Sequence, residues 1–368
     1  MTFTAINHCK NERFQVVWDL ARRCTYACTY CGPHHSNKTS PLVKFDDLKN
    51  TLDGVVEYAN LLNKYRPIPK ILDISYTGGE PTIHSDFWKF IEYQRTTYPF
   101  IKSNVTTNGC YTKNRCDKII KNLNGATVSY HAEASPQEKE LVLDNIQHMV
   151  DNNFNVGVNV MFHKDYFEEC KKVVEFCKLL GIRYMVRPIG DSNDKQDVKD
   201  GYAHEYTIEQ LRYFNKDWSN LPKSVMGMVS KTSIESIGRP CCNGKCLNIK
   251  VNNNWTQQRH VPTTNFFGWN CMVNWDFLFI NSEFNEVYYH QTCKVNLKNE
   301  IGPIGTADNF TDIISSTQQL FETGSFPVIK CPKTHCGCGL CSPKALESKD
   351  AVDIFYEKTS NIKPVLVD

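Results

Sequence analysis

Short apolar runs alternate with amphipathic stretches along the first half of the chain. Runs at residues 15–19, 71–76, 101–106, 126–130, 155–162 and 183–187 have the length and content of buried strands. Between them, apolar positions recur at helical spacing near residues 44–65, 84–97, 113–122, 136–152 and 166–180. Ser135, followed by Glu138 and Glu140, predicts an N-cap with an acidic first turn. Gly181 predicts a left-handed stop for the fifth helix. Six strand-then-helix units predict a parallel sheet with right-handed crossovers. Six units are too few for a closed eight-stranded barrel. The expected fold class is therefore α/β, a partial (β/α)6 TIM-like barrel whose chemistry gathers at the C-terminal strand ends.

The pattern changes after Gly190. Residues 191–206 are polar and read as a loop, and a helix is expected at 208–218. From Gly238 onward cysteines, asparagines and aromatics dominate, and helical periodicity fades. Residues 277–281 and 286–290 read as a hairpin. We expect a core domain over residues 1–215 and a small cysteine-rich α+β domain over 216–368.

The 368 residues are 41 % hydrophobic and 22 % charged, an ordinary globular composition. A net charge of +2 gives no electrostatic argument for binding nucleic acid or membrane. Trp255, Phe266, Phe267, Trp269 and Trp275 read as packing residues rather than base-stacking platforms. No stretch approaches the roughly 20 apolar residues of a membrane span. The N-terminus lacks a basic-then-apolar signal. The expected location is the cytoplasm, with no membrane or nucleic-acid partner.

Seventeen cysteines are many for a reducing compartment, where close-spaced cysteines read first as metal ligands. Cys170 and Cys177 share a helical face and read as packing residues. Cys24, Cys28 and Cys31 fall within eight residues, directly after the first strand. Three soft thiolates suit an Fe–S cube with one iron left open. A zinc site completed by His34 or His35 is the alternative, although zinc more often takes separated C-x2-C pairs.

The C-x3-C-x2-C spacing, Tyr30 before the last cysteine, Gly78-Gly79-Glu80-Pro81 after the second strand and Thr107-Asn108-Gly109 after the third together resemble the radical S-adenosylmethionine (radical SAM) superfamily. The resemblance covers residues 12–190. It implies a [4Fe–4S] cluster held by Cys24, Cys28 and Cys31, with SAM chelating the open iron. It also implies reductive cleavage to a 5′-deoxyadenosyl radical that abstracts a substrate hydrogen, and a low-potential donor such as flavodoxin or ferredoxin. Gly78 to Pro81 resemble the segment that receives the SAM amino group; two glycines let a backbone approach a ligand. The plain alternative is a strand-to-helix turn that Pro81 starts. Thr107, Asn108 and Ser129 are expected at the same mouth. Asn159 and Arg187 are further candidates, Arg187 for the SAM carboxylate. His131, Glu133 and Asp191 are named only as acid–base candidates, and no catalytic residue is assigned.

The run C-P-K-T-H-C-G-C-G-L-C puts Cys331, Cys336, Cys338 and Cys341 in eleven residues, and Cys271 and Cys293 bracket the hairpin. This layout resembles the SPASM and twitch extensions of radical SAM enzymes and implies one or two auxiliary [4Fe–4S] clusters. The spacing departs from the common SPASM run, so the ligand assignment stays open. Cys246 is preferred over Cys241 and Cys242, because adjacent cysteines seldom both ligate one centre. A zinc ribbon is the alternative. The resemblance favours a peptide or protein side chain as substrate. Only about fourteen residues precede the first expected strand, so a leader-binding domain is expected, if at all, as a separate partner. A small molecule such as an amino-sugar is the second reading, and a non-enzymatic Fe–S or zinc binding module the third.

Overall fold

A computed structural model describes residues 3–8, 12–31, 37–189, 206–207, 209–210, 213–214, 247–251, 254–258, 265–291, 293–296, 298, 300–324, 327–332 and 342–359. The six expected strands are all present. They are β2 (Arg13–Asp19), β3 (Ile71–Thr77), β4 (Lys102–Thr107), β5 (Gly125–His131), β6 (Val156–Phe162) and β7 (Arg183–Pro188). The five expected helices lie between them: α1 (Phe45–Lys64), α2 (Phe87–Thr97), α3 (Lys113–Asn122), α4 (Pro136–Asp151) and α5 (Phe167–Leu179). Ser135 and Glu138 form a reciprocal capping box on α4. Gly181, at φ +66°, ends α5 while Ile182 N–H donates to Cys177 O.

One face of each strand is buried. Phe14, Val16 and Trp18 of β2, Ile74 and Tyr76 of β3 and Val128 and Tyr130 of β5 pack under the helices. Cys170 and Cys177 are fully buried in that same core, as packing residues. The other face is half-buried and largely polar. Ser75 pairs in register with Asn104, Thr106 with Thr127, and Ser129 with Asn159. That alternation gives the sheet an apolar convex side and a polar concave side.

The parallel sheet has a seventh strand, from the C-terminal half. The hairpin of β11 (Phe277–Asn281) and β12 (Glu286–Tyr288) forms as expected, and β11 pairs parallel to β2. The sheet order is β13 (Gly305–Thr306), β12, β11, then β2 to β7. A second, antiparallel sheet was not anticipated. It joins β1 (Phe3–His8) to β8 (Leu247–Val251), β9 (Asn254–Gln258), β10 (Asn270–Cys271), β14 (Ile329–Lys330) and β15 (Lys344–Ala345). Among the described residues, the C-terminal half also holds α6 (Val273–Asp276), α7 (Phe310–Glu322) and α8 (Ser348–Lys358). The fading of helical periodicity there is corrected by α7, which buries Phe310, Ile313, Ile314, Thr317 and Phe321 on one stripe. Of the helix expected at 208–218, residues 209–210 and 213–214 are described and helical. The loop expected at 191–206, Asp191 included, lies outside the described residues except for Tyr206. No described helix is long and apolar enough to cross a membrane.

Candidate active site

The C-terminal ends of β2 to β6 meet at one mouth, and the loops leaving them are tied together. The loop after β2 carries Cys24, Cys28 and Cys31, all half-buried free thiols. It crosses the loop after β3, where Gly79 N–H donates to Ala21 O (2.7 Å) and Glu80 N–H to Arg23 O (2.7 Å). The crossing accounts for both glycines. A Cβ on Gly78 would stand 2.3 Å from Ala21 O, and one on Gly79 2.3 Å from Arg23 O. Gly78 also has φ +138°. What approaches these glycines is the protein's own cysteine loop. Lys38, which sequence reasoning missed, donates to the carbonyls of Cys24, Thr25 and Tyr26 at 2.8, 2.6 and 3.2 Å.

Glu80 is buried and its carboxylate is engaged inside the protein. It accepts from Thr82 N–H (3.0 Å), Thr82 Oγ1 (2.7 Å), Thr107 Oγ1 (2.8 Å) and Asn108 N–H (2.5 Å). Burial raises its pKa and these four hydrogen bonds oppose the rise. Glu80 thus ties the end of β3 to the end of β4. Pro81 does start a short 3₁₀ turn, as the plain reading held. Asn108 is a bracing residue too: its Nδ2 donates to Thr25 Oγ1 (2.9 Å) and its Oδ1 accepts from Cys110 N–H (2.9 Å).

His131 and Glu133 brace the same loop from β5. Thr29 donates its N–H (2.9 Å) and its hydroxyl (2.5 Å) to Glu133. His131 Nδ1 hydrogen-bonds the Tyr30 hydroxyl and lies 3.5 Å from Cys28 Sγ. Burial lowers the His131 pKa to about 4, so its imidazole is neutral at pH 7. Burial pushes the Cys28 thiol up to about 11; the Tyr30 hydrogen bond opposes this, and Glu133, Cys24 and Cys31 add to it. Cys24 is raised by burial, and by Glu80 and Cys31. Three thiols on one loop are a donor set for a soft cation, whose charge favours the thiolate. That donor set fits an iron–sulfur centre. Among the described residues no three His, Cys, Asp or Glu side chains stand together as a finished metal site.

Ser129 and Asn159 are neighbours on the concave face, and Arg187 pairs in register with Met161 one strand on. Cys271, Cys293 and Cys331 are buried in one apolar cluster with Ile6, Phe266, Trp269 and Tyr289. Cys246, Cys336, Cys338 and Cys341 lie outside the described residues. Sequence reasoning also missed Asp19, Arg22 and Glu283. Arg22 Nε donates to Glu283 Oε2 (2.6 Å) on the β11–β12 turn, beside the Asp19 carboxyl. The available signal was an acid in phase with Gln15 and Val17 at the end of an apolar strand.

Residues 18–177 match the family model described as Radical SAM superfamily. Over that stretch the chain is similar to radical SAM domains. The matched stretch contains the cysteine triplet, both glycines, Thr107-Asn108-Gly109 and Ser129, and the protein is an enzyme. Among curated relatives, the GTP 3′,8-cyclase of Nautilia profundicola is 24 % identical in an alignment of 227 residues that covers 54 % of this chain and 68 % of the relative. The mycofactocin maturase MftC of Mycolicibacterium smegmatis is 23 % identical over 94 residues, 26 % of this chain and 21 % of MftC. Among solved structures, SuiB of Streptococcus suis bound to S-adenosylmethionine aligns with a TM-score of 0.46 at 13 % identity, covering 76 % of this chain and 61 % of SuiB.

Proposed function

We propose that this radical SAM enzyme abstracts a hydrogen from a peptide or protein side chain, using SAM and a [4Fe–4S] cluster held by Cys24, Cys28 and Cys31. Such a cluster, once reduced, supplies one electron for C–S cleavage of SAM and so a 5′-deoxyadenosyl radical. The observation that carries the reading is the triplet loop's bracing. Gly79, Glu80, Lys38, Asn108, Thr29 and Glu133 together hold three thiols at the rim of a polar concave face. Ser129, Asn159 and Arg187 on that face are the proposed contacts to SAM. A maturase among the relatives supports the peptide reading. The shared burial of Cys271, Cys293 and Cys331 supports an auxiliary cluster in a domain over residues 216–368, with Cys246, Cys336, Cys338 and Cys341 as its further ligands. A flavodoxin or ferredoxin would supply the electron, and a separate partner would recognise any leader.

A small-molecule substrate is the second reading. It is favoured by the relative named for GTP, whose match covers more of this chain. Anaerobic reconstitution, dithionite and SAM test both. Formation of 5′-deoxyadenosine stimulated by peptides, and not by nucleotides or amino-sugars, supports the first; the reverse supports the second. Cys28→Ala should abolish SAM cleavage, whereas Cys338→Ala should leave uncoupled cleavage and stop product formation. Wild-type protein that holds iron yet gives no 5′-deoxyadenosine would overturn both readings.

A further inference from the structure

One row of residues crosses the antiparallel sheet beside Cys271. Ile6 of β1 pairs in register with Lys344 of β15, Lys344 with Cys271 of β10, and Cys271 with Ile329 of β14. Residues directly opposite one another leave an antiparallel sheet on the same face, with Cβ atoms about 5 Å apart. Ile6, Cys271 and Ile329 belong to the buried apolar cluster that also holds Cys293, Cys331 and Phe266. The adjoining row faces away, since its Ala5 and Ala345 belong to the main core. Lys344 is therefore a cation set in an apolar row, next to a thiol. It is only 2 % exposed, so its chain does not snorkel to water. Its Nζ lies 5.3 Å from the ring centre of Phe266, inside the cluster of the three thiols.

Three buried thiols are the soft donor set that an iron–sulfur centre takes, and net charge and burial set the potential of such a centre. Each electron added brings one negative charge. A fixed cation beside it favours the reduced state, and in a buried site little water screens the attraction. We propose that the Lys344 ammonium raises the reduction potential of a centre held by Cys271, Cys293 and Cys331. The assignment rests on the auxiliary-cluster reading of those cysteines and gives a role to a residue that is not a ligand. Lys344→Met removes the charge and keeps the length of the side chain. It should shift the one-electron equilibrium at least tenfold towards the oxidised state, about 59 mV.

The test uses the full chain with Cys24, Cys28 and Cys31 all changed to Ala, so that iron can enter only the C-terminal half. In that background the lysine is kept, or changed as Lys344→Met or Lys344→Arg. After anaerobic reconstitution, iron and sulfide are counted and the midpoint potential is read by electron paramagnetic resonance during titration with dithionite. The expected midpoint is lower by about 59 mV or more in Lys344→Met and close to the parent in Lys344→Arg, which keeps the charge. Iron content and the visible spectrum of the oxidised centre should match the parent in both. An unchanged or higher midpoint in Lys344→Met would overturn the proposal. So would an equal shift in both variants, which is a packing effect, or loss of iron from Lys344→Met, which makes the residue structural. A parent protein that folds but holds no iron would bring down the auxiliary-cluster reading, and this proposal with it.

Discussion

Gly79 has no room for a β-carbon, and what occupies the room is the chain that leads to Cys24. A Cβ there would stand 2.3 Å from Arg23 O and 2.4 Å from Arg22 O, both backbone atoms that cannot swing aside. Gly79→Ala must therefore push the cysteine loop away or break the 2.7 Å bond from Gly79 N–H to Ala21 O. The expected cost is about 2–4 kcal/mol in thermal unfolding, with a fall in iron bound after reconstitution. A variant that keeps its iron at unchanged stability would show that the crossing is not what positions the triplet. The cysteine triplet was legible in the sequence as a candidate metal-ligand set, because thiols in one short loop have few other uses. The residues that hold them were less so. Lys38 looks like any surface lysine until its ammonium is seen against three carbonyls. A carboxylate's worth depends on donors, and donors belong to the fold: Glu80 has four and Asp19 none among the described residues.

The β11–β12 hairpin shows the same limit for whole elements. Its strands are legible because both are short apolar runs flanking a polar turn. Its position beside β2 is not, since nothing local says that Phe277 will lie opposite Gln15. The antiparallel sheet escaped sequence reading for that reason too, as β1 pairs with strands that begin at residues 247 and 344. The hairpin turn grips the root of the cysteine loop by three side chains. Trp18 Nε1 donates to Ser282 Oγ (2.7 Å), Arg22 pairs with Glu283, and the Arg22 guanidinium sits 4.5 Å from the Phe284 ring centre. Both ends of the Arg22–Glu283 pair are mostly covered, so it should contribute more than a surface pair, about 1 kcal/mol. Glu283→Ala should speed amide exchange at residues 20–31 and leave α1 to α5 protected. Equal exchange in the cysteine loop would mean that the turn merely rests on it.

At the scale of the molecule, the two halves of the chain are locked by charge at the opposite end of β2. Arg66 and Lys70, which lie between α1 and β3, meet α6 from the C-terminal half. The Arg66 guanidinium donates to Trp275 O and lies 5.2 and 5.0 Å from the ring centres of Phe14 and Trp275. Lys70 Nζ pairs with Asp276, a residue only 1 % exposed. Burial lowers the Arg66 pKa to about 10 and lowers that of Lys70, while Asp276 raises both. Removing Asp276 leaves two buried cations without their counter-charge, a loss of about 3 kcal/mol or more. The pH dependence follows from the sign. Without Asp276, burial and Arg66 press the Lys70 pKa further down, below its value in the unfolded chain. Between those two values the unfolded state binds more protons, so stability rises with pH. Asp276→Ala should thus be least stable near pH 8 in urea and regain part of its loss towards pH 10.5. A loss that stays flat over that range would mean that Lys70 turns out to solvent when its partner is gone, and that the ion pair does not lock the halves together.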